Sequence, residues 1–207
     1  MVAMLSASLK PAVTRAINPI ARGALRMGLT PNAVTFTGAI GVVTSALYFY
    51  PKQEFFIGTL LIVFFALSDL FDGAMARISQ IGASRWGGFL DSTLDRISDS
   101  AVICALIYFY VNTVTDNSQL AVVAGIVSLV MSLMTSYARA KAESLDAKCT
   151  VGIAERAERN LIIWLALLIS GFFVDVMPYA LVLLAVASTI TVVQRILFVR
   201  KQLVLKV

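Results

Sequence analysis

The chain has 207 residues, of which 59% are hydrophobic and 14% are charged, and it contains no histidine. A soluble domain of this length usually carries more charge, so the composition favours a membrane protein in which carboxylates, not imidazoles, bind metal or move protons. The net charge of +5 suits a bilayer with anionic lipids, and no cluster of basic and aromatic residues indicates nucleic-acid binding.

Apolar runs long enough to cross a bilayer recur along the chain. A transmembrane helix needs about 20 apolar residues, and the connections between these runs are short, so neighbouring helices are antiparallel. The sequence therefore predicts an all-α polytopic membrane protein with six transmembrane helices. Their predicted bounds are Ala33–Tyr50, Phe55–Ile78, Trp86–Val111, Leu120–Ala142, Arg156–Val174 and Pro178–Val199.

The basic residues are divided unequally between the two sides of the predicted bundle. Of the 17 Lys and Arg residues, Lys52 alone falls in the connections after helices 1, 3 and 5. The positive-inside rule places the opposite side in the cytoplasm. We therefore expect a multi-pass cell-membrane protein with both termini and its acidic site on the cytoplasmic side.

The first 30 residues form a separate predicted element. Between Leu5 and Met27, four basic residues alternate with apolar ones, which is typical of an amphipathic helix lying in the membrane interface. Pro11 and Pro19 bend or break this helix. The expected organisation is a juxtamembrane amphipathic segment at residues 1–30, followed by a six-helix transmembrane catalytic domain at residues 31–207.

Four aspartates lie inside the predicted second and third helices. Asp69 and Asp72 are spaced i,i+3 and Asp91 and Asp95 are spaced i,i+4, so each pair projects from one face of its helix. At 1.5 Å per residue, all four lie within about 14 Å of the cytoplasmic helix ends. Carboxylates at this depth are costly and mark a functional site, and oxygen ligands suit Mg²⁺ or Mn²⁺. Two ions would neutralise the cluster and clamp a phosphate diester.

These aspartates belong to a longer motif. Residues 69–77 read D-x-x-D-G-x-x-A-R, and after a nine-residue spacer residues 87–95 read G-x-x-x-D-x-x-x-D. The pattern resembles the signature of the CDP-alcohol phosphotransferases, although the spacer is one residue longer than expected. The resemblance implies that Asp69, Asp72 and Asp91 bind metal, and that Asp95 binds a second ion or acts as general base.

The same resemblance implies a nucleotide-lipid substrate. The CDP moiety of CDP-diacylglycerol would contact Asn32, Gly73, Ala76 and Arg77. An alcohol would attack the lipid-linked phosphorus, and CMP would leave. Independently of the resemblance, free amides at the helix start around Pro31 and Asn32 suit a phosphate, but an ordinary helix start explains these two residues equally well.

A second basic set gathers on the predicted cytoplasmic side. Arginine forks fit phosphate oxygens, which favours an acceptor alcohol that carries a phosphate, whereas ordinary positive-inside charge is the alternative for any single residue. Ser132, one helical turn before Ser136, is a candidate to bond an acceptor hydroxyl or simply to pack between helices. The basic candidates are Arg139, Lys141, Arg156, Arg159 and Arg195.

Residues 136–143 and 153–159 resemble the actinobacterial phosphatidylinositol phosphate synthases within this family. The resemblance implies inositol phosphate as acceptor, phosphatidylinositol phosphate as product, and a homodimer. Two alternatives stay open. A phosphatidylglycerophosphate synthase would use glycerol 3-phosphate instead. A divalent-cation or proton-coupled transporter would favour acids spread across the membrane and an inverted repeat, and neither is visible in the sequence.

Overall fold

The computed structural model describes residues 17–79, 84–170 and 176–204, and within these ranges all regular structure is helical. A 3₁₀ turn at Tyr50–Lys52 follows the second helix. The prediction of an all-α protein is confirmed. The described helices are α1 (residues 17–26), α2 (Pro31–Phe49), α3 (Phe55–Ala66), α4 (Ser68–Ile78), α5 (Arg85–Asn112), α6 (Ser118–Glu143), α7 (Arg156–Ser170) and α8 (Val176–Val204).

Four stretches within the described ranges are long and apolar enough to cross a membrane. They are Pro31–Lys52, Phe55–Ile78, Ser118–Glu143 and Val176–Val204. The predicted third span corresponds to α5, whose 28 residues are long enough but whose first half is rich in charge. The predicted fifth span corresponds to α7, which has 15 described residues. Its predicted end at residues 171–174 lies outside the described part of the chain.

The predicted second helix is interrupted once. The amide of Leu70 donates to the carbonyl of Leu67 over 3.0 Å, a three-residue spacing that tightens the backbone between α3 and α4. Leu67 itself keeps right-handed helical angles. The apolar stretch Phe55–Ile78 also continues through this point, so hydropathy does not indicate the interruption. As a consequence, Asp69 lies in the first turn of α4.

The chain divides into two compact units. Unit 1 comprises Met1–Thr44 and Leu61–Ser98, and unit 2 comprises Ser45–Leu60 and Asp99–Val207. Residues 1–16 of the predicted interfacial segment lie outside the described residues. The helical remainder, α1, belongs to unit 1, where Ala21 is buried against Ala74 and Met75 of α4.

Close contact between α2 and α4 positions the polar residues of unit 1. A side chain at Gly38 would collide with Ser68, so the missing Cβ allows the two helices to approach closely. Thr35 lies one turn before Gly38, and Asp72 lies one turn after Ser68. The contact therefore presents Thr35 to the acidic face of α4.

In unit 2, α6 packs against its neighbours α5 and α8 partly through small residues. Ala121, Ala124 and Gly125 are among the buried residues of α6, and such residues let transmembrane helices approach closely. The Ser128 hydroxyl donates to the Leu181 carbonyl of α8 over 3.0 Å. This bond satisfies a polar group that would otherwise be costly in an apolar bundle.

The loop between α6 and α7 is held against α8. The side-chain amide of Gln202 accepts from the Lys148 amide over 3.0 Å and donates to the Lys148 carbonyl over 2.6 Å. Nearer to α7, the Ala154 amide donates to the Thr191 hydroxyl over 3.1 Å. These bonds fix the segment that leads into Arg156, the first residue of α7.

Candidate active site

Three carboxylates from two helices converge in unit 1. Asp69 and Asp72 come from α4 and Asp91 comes from α5, and one oxygen of each lies within 4.8 Å of the others. Asp72 is buried, whereas Asp69 and Asp91 are half-buried. The structure thus brings together three of the four aspartates in the sequence motif.

The composition and spacing of this group fit a hard divalent cation. Mg²⁺ takes oxygen ligands at about 2.0–2.1 Å, so oxygens around one ion lie roughly 3–4 Å apart. Carboxylates within 4.8 Å of one another reach that spacing through small side-chain movements. Three negative charges this close, on helices within a largely apolar bundle, also require a positive counter-charge.

Thr35 holds the most deeply buried of the three carboxylates. Its hydroxyl lies 2.5 Å from Oδ2 of Asp72 and 3.0 Å from the Pro31 carbonyl. A hydroxyl has one proton, so it donates to one of these oxygens at a time. Because Thr35 is itself buried, its bond to Asp72 is shielded from water and limits the rotation of the carboxylate.

Asp95 follows Asp91 by one helical turn but lies outside this group of three. Its Oδ2 is 3.3 Å from Nη1 of Arg96, and the Asp95 side chain is 12% exposed. Arg96 also donates to the Ser92 carbonyl over 2.8 Å, which holds the guanidinium along α5. The structure therefore separates Asp95 from the three converging carboxylates, which is compatible with a different chemical role.

A cavity of about 440 Å³ adjoins the acidic group in unit 1. Three residues that the family resemblance assigned to the CDP moiety, Asn32, Gly73 and Ala76, line it. Arg77 is not among the lining residues, although its guanidinium lies beside Gly73. The lining residues are Leu25, Leu29, Thr30, Pro31, Asn32, Thr35, Asp72, Gly73, Ala76, Ser79, Ser84, Gly87, Gly88 and Asp91.

The absence of a side chain at Gly87 leaves room for the side chains of Asn32 and Ser84 at the wall of this cavity. A Cβ at this position would lie 3.1 Å from Oδ1 of Asn32 and 3.0 Å from Oγ of Ser84. The Ser84 hydroxyl accepts the Gly87 amide over 2.9 Å and so caps the start of α5. The missing side chain lets the start of α5 approach the start of α2 at Asn32.

The predicted acceptor residues belong to unit 2, where Arg195 is the most firmly held. It is 3% exposed, and it donates from Nη1 to the Thr135 carbonyl over 2.7 Å and from Nε to the Val151 carbonyl over 2.9 Å. Its Nη2 lies 3.7 Å from a carboxylate oxygen of Glu155. Arg195 therefore ties α6 and the α6–α7 loop to α8.

Arg156 and Arg159 both lie in the first turn of α7. Positive charge is disfavoured at a helix N-terminus, so two arginines at this place need compensation or a function. Arg159 is buried, and its Nη1 donates to the Ala154 carbonyl over 3.1 Å. Arg156 is half-buried, and its Nε lies 3.3 Å from Oδ2 of Asp99 on α5.

The remaining acceptor candidates differ in their surroundings. Arg139 pairs with Glu143 over 2.9 Å on the exposed face of α6, and Lys141 is also exposed. Ser132 is buried, and its hydroxyl has no hydrogen-bond partner among the described residues. Arg139 and Lys141 thus fit the positive-inside alternative well, whereas Ser132 retains an unused hydrogen-bonding group.

Comparison with known proteins decides the family. The family model of the CDP-alcohol phosphatidyltransferases matches residues 28–204. The chain belongs to this family. The phosphatidylinositol phosphate synthase of Streptomyces avermitilis is 41% identical over 209 residues, covering 97% of this chain and 84% of that protein. The synthase of Cutibacterium acnes is 41% identical, covering 90% of this chain and 93% of that protein.

Solved structures give the same result for this CDP-alcohol phosphatidyltransferase. The crystal structure of Mycobacterium tuberculosis phosphatidylinositol phosphate synthase with CDP-DAG bound matches with a TM-score of 0.85 and 41% identity, covering 90% of this chain and 94% of that chain. The same protein in complex with manganese and citrate matches with a TM-score of 0.84, covering 88% of each chain. Membership of this family makes the chain an enzyme, and the transporter hypothesis is set aside.

The sequence motif does not include two further polar residues of this CDP-alcohol phosphatidyltransferase, Thr35 and Asp99. Thr35 lies three residues after Asn32, and both line the cavity. The i,i+3 spacing from Asn32 is the sequence feature that could have indicated Thr35. Asp99 follows Asp95 by four residues and is therefore a fifth aspartate within the two acidic helices. Its Oδ1 lies 3.4 Å from Nδ2 of Asn160, in addition to its contact with Arg156.

Proposed function

We propose that this enzyme transfers the phosphatidyl group of CDP-diacylglycerol to inositol phosphate, forming phosphatidylinositol phosphate and releasing CMP. The observation that carries the proposal is 41% identity over almost the whole chain to proteins named phosphatidylinositol phosphate synthase. The acidic group and adjoining cavity in unit 1 support it, because a nucleotide diphosphate needs both cationic neutralisation and a concave site.

The donor site is assigned to unit 1. Asp69, Asp72 and Asp91 hold a divalent metal, Mg²⁺ or Mn²⁺, and Asp95 contributes to a second ion. Ions held there would neutralise the pyrophosphate and stabilise the charge that develops on its oxygens. Asn32, Gly73, Ala76 and Arg77 contact the CDP moiety, the first three as walls of the cavity and Arg77 from beside Gly73.

The reaction is a displacement at the lipid-linked phosphorus. A hydroxyl oxygen of the acceptor forms the new phosphorus–oxygen bond, and the bond to the bridging oxygen of CMP breaks. Asp95 takes the hydroxyl proton as general base. Asp95 is not one of the three converging carboxylates, which supports a role other than binding the first ion.

The acceptor phosphate is assigned to unit 2. Arg139, Lys141, Arg156, Arg159 and Arg195 supply positive charge, and Ser132 supplies a hydroxyl for the acceptor ring. The contacts of Arg156 and Arg195 differ, and they support different contributions to phosphate binding. The Arg156 side chain is 30% exposed. Arg195 is buried and gives two of its N–H donors to backbone carbonyl oxygens, so it also shapes the loop before Arg156.

The enzyme is proposed to span the cell membrane six times, with α5 and α7 as the additional crossings. At 1.5 Å per residue, the 28 residues of α5 extend about 42 Å, which exceeds the hydrocarbon thickness. Its charges are acceptable where they face protein or substrate instead of lipid. Residues 1–30 form the juxtamembrane segment and residues 31–207 form the catalytic domain.

Orientation and assembly complete the proposal. The excess of Lys and Arg on one side supports cytoplasmic termini and a cytoplasmic active site. The enzyme is further proposed to be a homodimer, as its resemblance to the actinobacterial synthases implies. Many large apolar side chains are exposed on the single chain, and they supply lipid-facing and subunit-facing surface.

An acceptor panel tests the proposed function. Purified enzyme is incubated with CDP-diacylglycerol and Mg²⁺, together with inositol phosphate, inositol or glycerol 3-phosphate, and CMP release and the lipid product are measured. We expect turnover with inositol phosphate and little with free inositol. Turnover with glycerol 3-phosphate alone would instead establish a phosphatidylglycerophosphate synthase, and no CMP release with any acceptor would overturn the proposal.

A further inference from the structure

Asp99 is a carboxylate that the metal and donor sites do not use. It lies on α5 in unit 2, and its side chain is 19% exposed. An unpaired charge at such a place in an apolar helix is costly, so its neighbours matter. Both neighbours come from α7, which packs in the same unit: Arg156 at its first residue and Asn160 one turn later.

The two contacts use separate oxygens of the Asp99 carboxylate. Nε of Arg156 lies 3.3 Å from Oδ2, and Nδ2 of Asn160 lies 3.4 Å from Oδ1. The carboxylate therefore contacts two residues on the same face of α7, Arg156 and Asn160, which are one turn apart. Because the bond to Arg156 goes to Nε, it fixes the direction of the guanidinium plane at its inner edge.

Arg156 remains reachable while it is held in this way. Its side chain is 30% exposed, whereas Arg159 and Arg195 are buried and donate to backbone carbonyls. A free arginine side chain has several rotatable bonds whose freedom is lost when it binds an anion. Holding Nε in advance reduces that loss and keeps the outer nitrogens in a defined orientation.

We propose that Asp99 is a positioning residue for acceptor recognition, which orients the Arg156 guanidinium towards the phosphate of the acceptor and, through Asn160, fixes the first turns of α7. The inference rests on the proposed function, because it assigns the phosphate of the acceptor to Arg156. Asp99 touches neither the metal nor the CDP moiety in this proposal. Its effect is therefore confined to the acceptor.

The test is a double-mutant cycle of Asp99→Asn and Arg156→Gln, with KM measured separately for inositol phosphate and CDP-diacylglycerol. We expect each single change to raise KM for inositol phosphate roughly tenfold or more, the range of a lost charge-assisted contact. KM for CDP-diacylglycerol should stay within about twofold. Asp99→Asn should add almost nothing in the Arg156→Gln background, because the group that it positions is already absent.

Asp116→Asn is the matched control, since it removes the same charge from the exposed loop that follows α5. It should leave both KM values unchanged. Asn160→Ala provides a second variant that alters no charge, and it should raise only KM for inositol phosphate, by a smaller factor. Independent, multiplicative effects of Asp99→Asn and Arg156→Gln would overturn the inference, as would an equal rise in KM for CDP-diacylglycerol.

Failure of the proposed function is distinguishable from failure of this inference. If wild-type enzyme uses glycerol 3-phosphate and not inositol phosphate, the proposed acceptor is wrong, and the same cycle is measured with glycerol 3-phosphate. Coupling between Asp99 and Arg156 on that acceptor would support the positioning role. If only acceptors without phosphate are turned over, both proposals are wrong.

Discussion

The hydroxyl of Thr35 on α2 donates a hydrogen bond to Oδ2 of Asp72 on α4, within 2.5 Å and away from solvent. This bond orients one ligand of the proposed metal site before any ion binds. Thr35→Val keeps the shape of the side chain and removes the donor. We expect it to raise the Mn²⁺ concentration needed for half-maximal activity roughly tenfold, because a hydrogen bond to a charged group is lost.

Thr37→Val is the matched control for this prediction. The Thr37 hydroxyl donates only to carbonyls of its own helix, those of Ala33 and Val34, among the bonds observed. Its replacement should leave the Mn²⁺ dependence unchanged. If Thr35→Val and Thr37→Val behave alike, the bond to Asp72 has no part in metal binding.

The converging carboxylates predict strict dependence on a divalent ion. Asp69→Asn, Asp72→Asn and Asp91→Asn should each abolish CMP release and weaken Mn²⁺ binding, because each removes one charged ligand from a group within 4.8 Å. EDTA should inactivate the wild-type enzyme, and added Mg²⁺ should restore it. Undiminished activity in EDTA would exclude the metal mechanism.

Asp95 should affect chemistry more than binding. Asp95→Asn removes a proton acceptor without changing size, and we expect the turnover number to fall at least roughly a hundredfold. The affinity for CDP-diacylglycerol should change less than in Asp72→Asn, since Asp95 lies outside the three-carboxylate group. Rate constants from single turnovers and nucleotide binding measured separately distinguish these effects, and near-normal turnover would refute the base assignment.

Gly87 should be sensitive to the smallest possible addition. In Gly87→Ala the new methyl group would lie 3.1 Å from Oδ1 of Asn32 and 3.0 Å from Oγ of Ser84, so one of these groups must move. We expect KM for CDP-diacylglycerol to rise several-fold, because Asn32 lines the cavity. Gly23→Ala on α1 is the control, since its Cβ meets nothing within 4 Å, and equal effects of the two changes would contradict the packing argument.

The sequence determined the helical class and the acidic motif because both depend on short-range spacing. Residues at i,i+3 and i,i+4 share a helix face wherever the helix lies, so the pairs Asp69–Asp72 and Asp91–Asp95 were readable without a structure. The eight fixed positions of the motif also indicated the family, which the match over residues 28–204 confirms. The interruption at Leu67 was not readable, because it is a local change of backbone hydrogen bonding within a segment of continuous helical hydropathy.

Tertiary structure alone decided which side chains meet across helices. It joined Asp72 to Thr35 and Arg156 to Asp99, and it kept Asp95 out of the group of three carboxylates. It also showed that Arg195, which the sequence offered as an acceptor ligand, gives two donors to backbone carbonyls. Charge and spacing show that a side chain needs a partner, but which partner it finds depends on the rotation and approach of a second helix, and those are set by packing.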